Sequence, residues 1–120
     1  MKIQILMSAY NGEKYIEEQI TSLINNKKDD MQLSLLIRDD GSSDNTVSIV
    51  KKMQKQNLID IELLEEANIG VTKSFLKLIK MAPLADLYFF CDQDDVWLAD
   101  KISMAQKAMR DTSVPELYIA

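Results

Sequence analysis

The chain has 120 residues, enough for one compact domain with a real core and small for a complete enzyme acting on two substrates. Hydrophobic residues make up 47% and charged residues 28%, the balance of a folded soluble protein rather than a disordered, collagen-like or membrane-spanning one. The net charge of -5 comes without a strongly basic run, which argues against nucleic acid as a partner, and the absence of histidine removes the commonest general base and most zinc sites.

"IQILMS" (residues 3–8) reads as a buried strand, and Asn11-Gly12 breaks it before a helix with Ile16, Ile20, Leu23 and Ile24 on one face. Asn11 itself is in place to cap that helix. "LSLLIRD" (33–39) is a second strand; "GSSDNT" then supplies turn and cap residues, Asp44 among them, for a helix whose inner face is Val47, Val50 and Met53. "DIELLE" (60–65) alternates like a strand, "ANIG" turns, and residues 71–81 carry Phe75, Leu78 and Ile79 at helical spacing until Pro83. "DLYFFC" (86–91) is a fourth strand, residues 99–110 a helix with Ile102, Ala105 and Met109 inward, and "ELYIA" (116–120) a fifth strand. Strict alternation predicts an α/β fold, a mostly parallel sheet with helices on both faces in three layers.

Cys91 is the single cysteine and follows Phe89 and Phe90, so it predicts a buried thiol in a reducing, cytoplasmic setting. The opening "MKIQILMSAY" predicts neither a signal peptide nor a transmembrane span.

Open parallel sheets bind ligands beyond the carboxyl ends of their strands. Three such ends carry unusual polar sequence: "SAYNG" with Ser8 and Tyr10, "RDDGSSDNT" with Asp39 and Asp40, and "CDQDDVW" with Asp92, Asp94 and Asp95. Taken singly, Tyr10 and Asn11 fit an edge cap and a turn, and Gly41 and Ser42 fit turn chemistry. Three carboxylates crowded against an apolar strand end repel one another unless a cation sits between them. Asp-x-Asp places two oxygen ligands on one side of an extended segment, which suits a hard divalent ion, Mg²⁺ or Mn²⁺, shared with the phosphates of a substrate. No Walker loop and no G-x-G-x-x-G is present.

The series "ILMSAYNGEKYIEEQITSLINN", "LLIRDDGSSDNT", "NIGVTKSF" and "YFFCDQDDVWLADKI" resembles, in order and spacing along essentially the whole chain, the nucleotide-binding part of the family 2 glycosyltransferases. Its D-Q-D-D-x-W form is similar to that of bacterial rhamnosyltransferase-like and related polysaccharide-assembly members. The resemblance implies the GT-A fold, truncated before the acceptor half, with residues 1–120 forming the donor-binding domain. It further implies that Ser8 and Tyr10 line the base pocket, that Asp40 with its neighbour Asp39 holds the base, and that Asp92 approaches the ribose or the metal. Asp94 is then the main metal ligand, Asp95 faces the donor sugar, and Lys73 stands where members often carry an arginine toward the diphosphate.

The implied reaction is an inverting, metal-dependent transfer from a UDP- or dTDP-linked sugar to a saccharide or lipid-linked acceptor. The general base is expected beyond Ala120, in an acceptor half whose absence also predicts self-association of this piece. In a full-length protein the implied place is the cytoplasm, at the inner face of the plasma membrane. A non-catalytic nucleotide-sugar binding module requires the same motifs and is the alternative. A phosphoacceptor receiver domain would need an acidic pair after the first strand, where "SAYNG" stands. A metal-dependent phosphatase commonly places its D-x-D after the first strand, and a nucleotidyltransferase needs basic or glycine-rich phosphate contacts near the N-terminus.

Overall fold

The computed structural model describes residues 1–92, 96–109 and 116–119, with backbone alone for residues 92, 108–109 and 116–119. Strands and helices alternate throughout: β1 (Lys2–Ala9), α1 (Ile16–Ile24), β2 (Gln32–Asp40), α2 (Thr46–Lys55), β3 (Asp60–Glu66), α3 (Val71–Met81), β4 (Leu87–Asp92), α4 (Lys101–Met109) and β5 (Glu116–Ile119). The strands form one sheet in the order β3-β2-β1-β4-β5, and every pairing among the described residues is parallel. The chain steps outward from β1 to β3, then returns to lay β4 on the other side of β1. The strand order thus reverses direction between β1 and β4, the kind of switch point beside which open α/β sheets bind ligands.

The period of two along each strand separates two apolar layers. On one face Ile3, Ile5 and Met7 of β1, Leu35 and Ile37 of β2 and Phe89 of β4 pack with Ile16, Ile20 and Leu23 of α1, Val50 and Met53 of α2, and Ile102 and Ala105 of α4. On the other, Leu6 and Leu36 pack against Leu78 of α3, with Phe75 and Phe90 alongside. Burial on both faces explains why β1 and β2 read as continuous apolar runs. Each such side chain contributes roughly 1.5–3 kcal/mol by leaving water. Strand β3, at the sheet edge, alternates in burial and exposes Asp60 and Glu62, charges that discourage pairing with another strand.

Two inner faces differ from expectation. In α2 the buried positions are Thr46, Val50 and Met53, with Val47 only half-buried. In α3 Ser74 and Leu78 are buried and Ile79 is 45% exposed. Polar side chains take both places because the first turns of these helices face hydrogen-bonding loops rather than the apolar layer. Helix α3 ends at Met81 because Ala82, held extended before Pro83, cannot continue it. The expected α4 position Met109 lies outside the residues with described side chains, as Arg110 lies outside the described chain.

Candidate functional site

At the carboxyl edge the loops after β1 and β2 are laced together. Asn11 adopts the left-handed conformation, φ 47°. It does not cap α1, whose N-cap position is Tyr15 without a side-chain bond. Its amide instead donates to Ser42 Oγ at 2.9 Å, and its Oδ1 accepts from the Ser43 amide at 2.9 Å. The Gly12 amide donates to Thr46 Oγ1 at 2.8 Å, and that hydroxyl donates to Asp44. Asp44 also accepts from the amides of Thr46, at 3.0 Å, and Glu13, at 3.2 Å. Burial pushes the Asp44 carboxyl up, but these hydroxyl and amide donors outweigh it and hold it below the usual range. Asp44 thus serves the first turn of α2, as its sequence position suggests.

Adjacent residues of a strand point to opposite faces, so Asp39 and Asp40 work separately. Asp39 accepts from the Ser42 amide at 2.9 Å and the Ser42 hydroxyl at 2.6 Å, which closes the tight turn through Gly41. Asp40 faces α3. Its Oδ1 accepts from Arg38 Nη1 at 2.6 Å and the Ile69 amide at 2.8 Å, its Oδ2 from the Gly70 amide at 3.1 Å, and its carbonyl from Asn68 Nδ2 at 3.0 Å. Burial raises the Asp40 carboxyl, yet the Arg38 guanidinium and these amides leave it lowered overall. Gly41, at φ 80°, lies so close to the third loop that a Cβ there would sit 3.0 Å from the Asn68 amide nitrogen. The three loops form one shelf.

Arg38, absent from the candidate residues, is the centre of this edge. It is 1% exposed, and besides Asp40 it donates from Nε to Glu66 at 2.7 Å, from Nη2 to the Ala67 carbonyl at 2.9 Å and from Nη1 to Ser74 Oγ at 3.1 Å. Burial lowers its pKa, but the carboxylates of Asp40 and Glu66 raise it overall, and hydrogen bonding to Arg38 lowers Glu66 in turn. A planar fork of donors suits such a junction between strand, loop and helix. The signal was available: one arginine inside an apolar strand, two positions before an aspartate on the same face.

Of the residues singled out from the sequence, Ser8 is buried and donates to Ser74 Oγ at 2.6 Å, which joins it to Arg38 and Asp40. Register sets Ser8 beside Arg38 on one side and Asp92 on the other, one row across three strands. Tyr10 is 48% exposed just beyond β1, and Lys73 is exposed in the first turn of α3. Asp94 and Asp95, with the side chain of Asp92, lie outside what is described. Among the described residues no group of three or more histidine, cysteine or carboxylate side chains is gathered to hold a metal. Cys91 is buried, as expected.

Two depressions lie on the described surface. One of about 640 Å³ lies at the opposite, amino edge between Lys2, Gln32, Asn57 and Asp60, away from the laced loops. A smaller one of about 290 Å³ lies beside Trp97, Leu98, Lys101 and Met104, immediately after the acidic segment. Among the described residues no helix is long and apolar enough to cross a membrane.

A parallel sheet of this order with a polar crest at its carboxyl edge is an open α/β sheet, and it matches glycosyltransferase structures of the GT-A type. The chain belongs to glycosyl transferase family 2, whose profile, "Glycosyl transferase family 2", matches residues 4–114. The dTDP-rhamnosyl transferase RfbG of Shigella flexneri is 42% identical over 103 residues, covering 82% of this chain and 35% of that protein. TarS 1–349 of Staphylococcus aureus, solved in complex with UDP-GlcNAc, superposes with a TM-score of 0.81 at 27% identity, over 92% of this chain and 32% of that one. The mannosyltransferase PcManGT of Pyrobaculum calidifontis shares the fold, with a TM-score of 0.81 at 22% identity over 93% of this chain and 33% of that one. The chain spans about a third of the length of the curated relatives it matches.

Proposed function

We propose that residues 1–120 bind the donor of an inverting, divalent-cation-dependent glycosyltransferase. The enzyme transfers a sugar from a UDP- or dTDP-linked donor to the hydroxyl of a saccharide or lipid-linked acceptor in bacterial cell-surface polysaccharide synthesis, at the cytoplasmic side of the membrane. The observation that carries this reading is the register that sets Asp92 beside Ser8, so that the polar ends of β1, β2 and β4 meet at one edge. Likeness to a protein named for dTDP-rhamnosyl transfer and to one solved with UDP-GlcNAc supports the donor class.

In this reading Ser8 and the exposed ring of Tyr10 border the base, and Asp39 and Asp40 hold it or brace the loops around it. Asp94 with Asp92 binds Mg²⁺ or Mn²⁺, for which an all-carboxylate donor set is chemically apt. The cation, when bound, offsets the charge of the diphosphate and of its departure. Lys73 adds a positive charge from the start of α3, and Asp95 orients the donor sugar. The carboxylate that deprotonates the acceptor belongs to an acceptor half and is assigned to no residue here.

Calorimetric titration with UDP, dTDP and GDP, each with and without Mn²⁺, tests this directly. Binding of one nucleotide that requires Mn²⁺ and is lost in Asp94→Ala is expected. A folded chain that binds none of the three with Mn²⁺ would falsify the reading.

A further inference from the structure

Among the described residues α3 is the one helix on its face of the sheet, while α1, α2 and α4 share the other. Ser74 and Leu78 are its buried positions, and Phe75 meets the Phe90 ring of β4, 5.2 Å between centroids. The rest of the helix faces outward. Val71, Leu76, Ile79 and Met81, with Leu84 in the loop that follows, are 45–77% exposed. Large apolar side chains grouped on one open surface mark a place of contact.

The same surface is basic. Helix α3 carries Lys73, Lys77 and Lys80 and no acidic residue, in a chain of net charge -5. Spacings of three and four residues make Leu76 a neighbour of Lys73, Ile79 and Lys80, so a lysine row runs beside an apolar row. Lys77 lies 3.6 Å from Glu66, a carboxylate that Arg38 already engages. Lys73 and Lys80 have no ion-pair partner among the described residues.

Two other surfaces show what is particular to this one. Helix α2 also has three lysines, Lys51, Lys52 and Lys55, and no acidic residue, but no large apolar side chain is exposed along it. Leu98 and Met104 are exposed beside α4, but Asp100 stands between them in the chain and an acidic run precedes them. Lysines and exposed apolar side chains coincide, without an acidic residue among them, on α3.

That coincidence selects the partner. Two copies joined symmetrically through α3 would set lysine against lysine, which opposes association. A surface that is anionic in its outer plane and apolar just beneath satisfies both rows, with lysine ammonium groups at the level of phosphates and the apolar side chains below them. No helix among the described residues is long and apolar enough to cross a bilayer, so the contact lies in the headgroup plane. The acidic remainder of the chain does not prevent it, because salt screens each exposed charge beyond about 8 Å.

We infer that the outer face of α3, through Lys73, Leu76, Ile79 and Lys80, docks on a membrane surface rich in anionic lipid. The helix starts at the carboxyl edge, where Ser74 joins Ser8 and Arg38, so docking brings that edge to the bilayer. Docking itself is independent of the donor-site reading above; its service to a lipid-linked acceptor rests on that reading.

The test is sedimentation of the chain with vesicles of phosphatidylcholine alone and of an equal mixture with phosphatidylglycerol, at low and at high salt. Wild type should bind the mixture about tenfold or more tightly than phosphatidylcholine alone, and salt should weaken that binding. Lys80→Glu and Leu76→Gln, both at exposed positions and checked by far-ultraviolet dichroism, should each weaken it about fivefold or more. Ile79→Gln takes the place of Leu76→Gln if that variant does not fold. Lys52→Glu makes the same charge change on the opposite face, and Leu58→Gln, at a position 54% exposed, makes the same apolar loss away from α3. Each of these should alter binding less than about twofold.

Equal binding to both vesicles, or equal losses in the α3 variants and in Lys52→Glu and Leu58→Gln, overturns the inference. A chain that self-associates, becomes monomeric in Leu76→Gln and ignores vesicles assigns this face to a second copy, which overturns it too. None of these results bears on nucleotide binding, so the donor-site reading stands or falls by its own titration.

Discussion

Arg38 and Asp40 stand two positions apart on one face of β2, joined by an ion pair of 2.6 Å with side chains 1% and 4% exposed. A buried pair of this kind is weak support for stability as a whole, but removing one partner leaves the other charged and out of water. Arg38→Met should destabilise the chain by about 3–5 kcal/mol, since Asp40 keeps only its two amide donors. Arg38→Lys should recover little of that, because an ammonium cannot reach Asp40, Glu66, Ala67 and Ser74 together. Urea denaturation of the three proteins decides the matter, and a lysine variant as stable as wild type would count against the fork geometry.

Acid should weaken the same edge. Asp40 and Asp44 are lowered from an ordinary value of 3.8, and Glu66 is lowered from 4.5. For groups depressed in the folded state, the stability they contribute is complete above the unfolded values and is lost as pH falls through the folded ones. Unfolding free energy should therefore hold level down to about pH 4.5 and drop below it. In Arg38→Met the drop should be shallower, because Arg38 lowers both Asp40 and Glu66. Urea midpoints measured from pH 7 downward would show the two slopes.

Gly41→Ala should be costly on two counts. The left-handed φ of 80° disfavours any side chain by roughly 1–2 kcal/mol, and the added Cβ presses on the Asn68 backbone at 3.0 Å. Gly70→Ala meets nothing within 4 Å, but at φ 89° and ψ 158° the backbone holds a conformation essentially reserved for glycine, which costs any side chain roughly 1–3 kcal/mol. Both variants should therefore melt below wild type. A Gly41→Ala variant as stable as wild type would mean that the contact with Asn68 is easily relieved.

Cys91 is 2% exposed and touched by Gln19, so its thiol should resist a disulfide reagent in the folded protein and react fully in denaturant. Labelling followed by absorbance measures this. Rapid labelling under native conditions would show that the end of β4 opens.

Hydrophobic periodicity carried most of the fold, because the elements are short and bounded by turn residues. Each strand was found within a residue at either end, and Val71–Met81 was found without error. Periodicity failed where a polar residue is buried by choice of partner. Ser74 is buried on α3, where Ile79 was expected inward, because Arg38 reaches from β2 to it, and Thr46 replaces Val47 because it bridges Gly12 to Asp44.

The candidate site could be read as a meeting of polar strand ends at the carboxyl edge, and less well as a set of contacts. Asp39 and Asp40 look alike as a pair in sequence, whereas the strand pleat sends one to the turn through Gly41 and the other to α3. Arg38 was passed over because a strand run that includes one charge still reads as a strand. Its partners Glu66 and Ser74 lie 28 and 36 residues away, beyond any local pattern.

The bonds that lace the edge loops join residues 28 to 34 apart in sequence, from Asn68 with Asp40 to Gly12 with Thr46. Such bonds give little until β1, β2 and β3 have already come side by side, since the entropy of closing those loops is lost before the bonds form. The shelf is therefore a late event in the folding of this chain, assembled on a finished sheet. Substitutions at Asn11, Thr46 or Asn68 should accelerate unfolding and leave the rate of folding nearly unchanged. A chain could then reach its full complement of strands and helices, look native by secondary structure, and still lack the laced edge proposed to meet the donor.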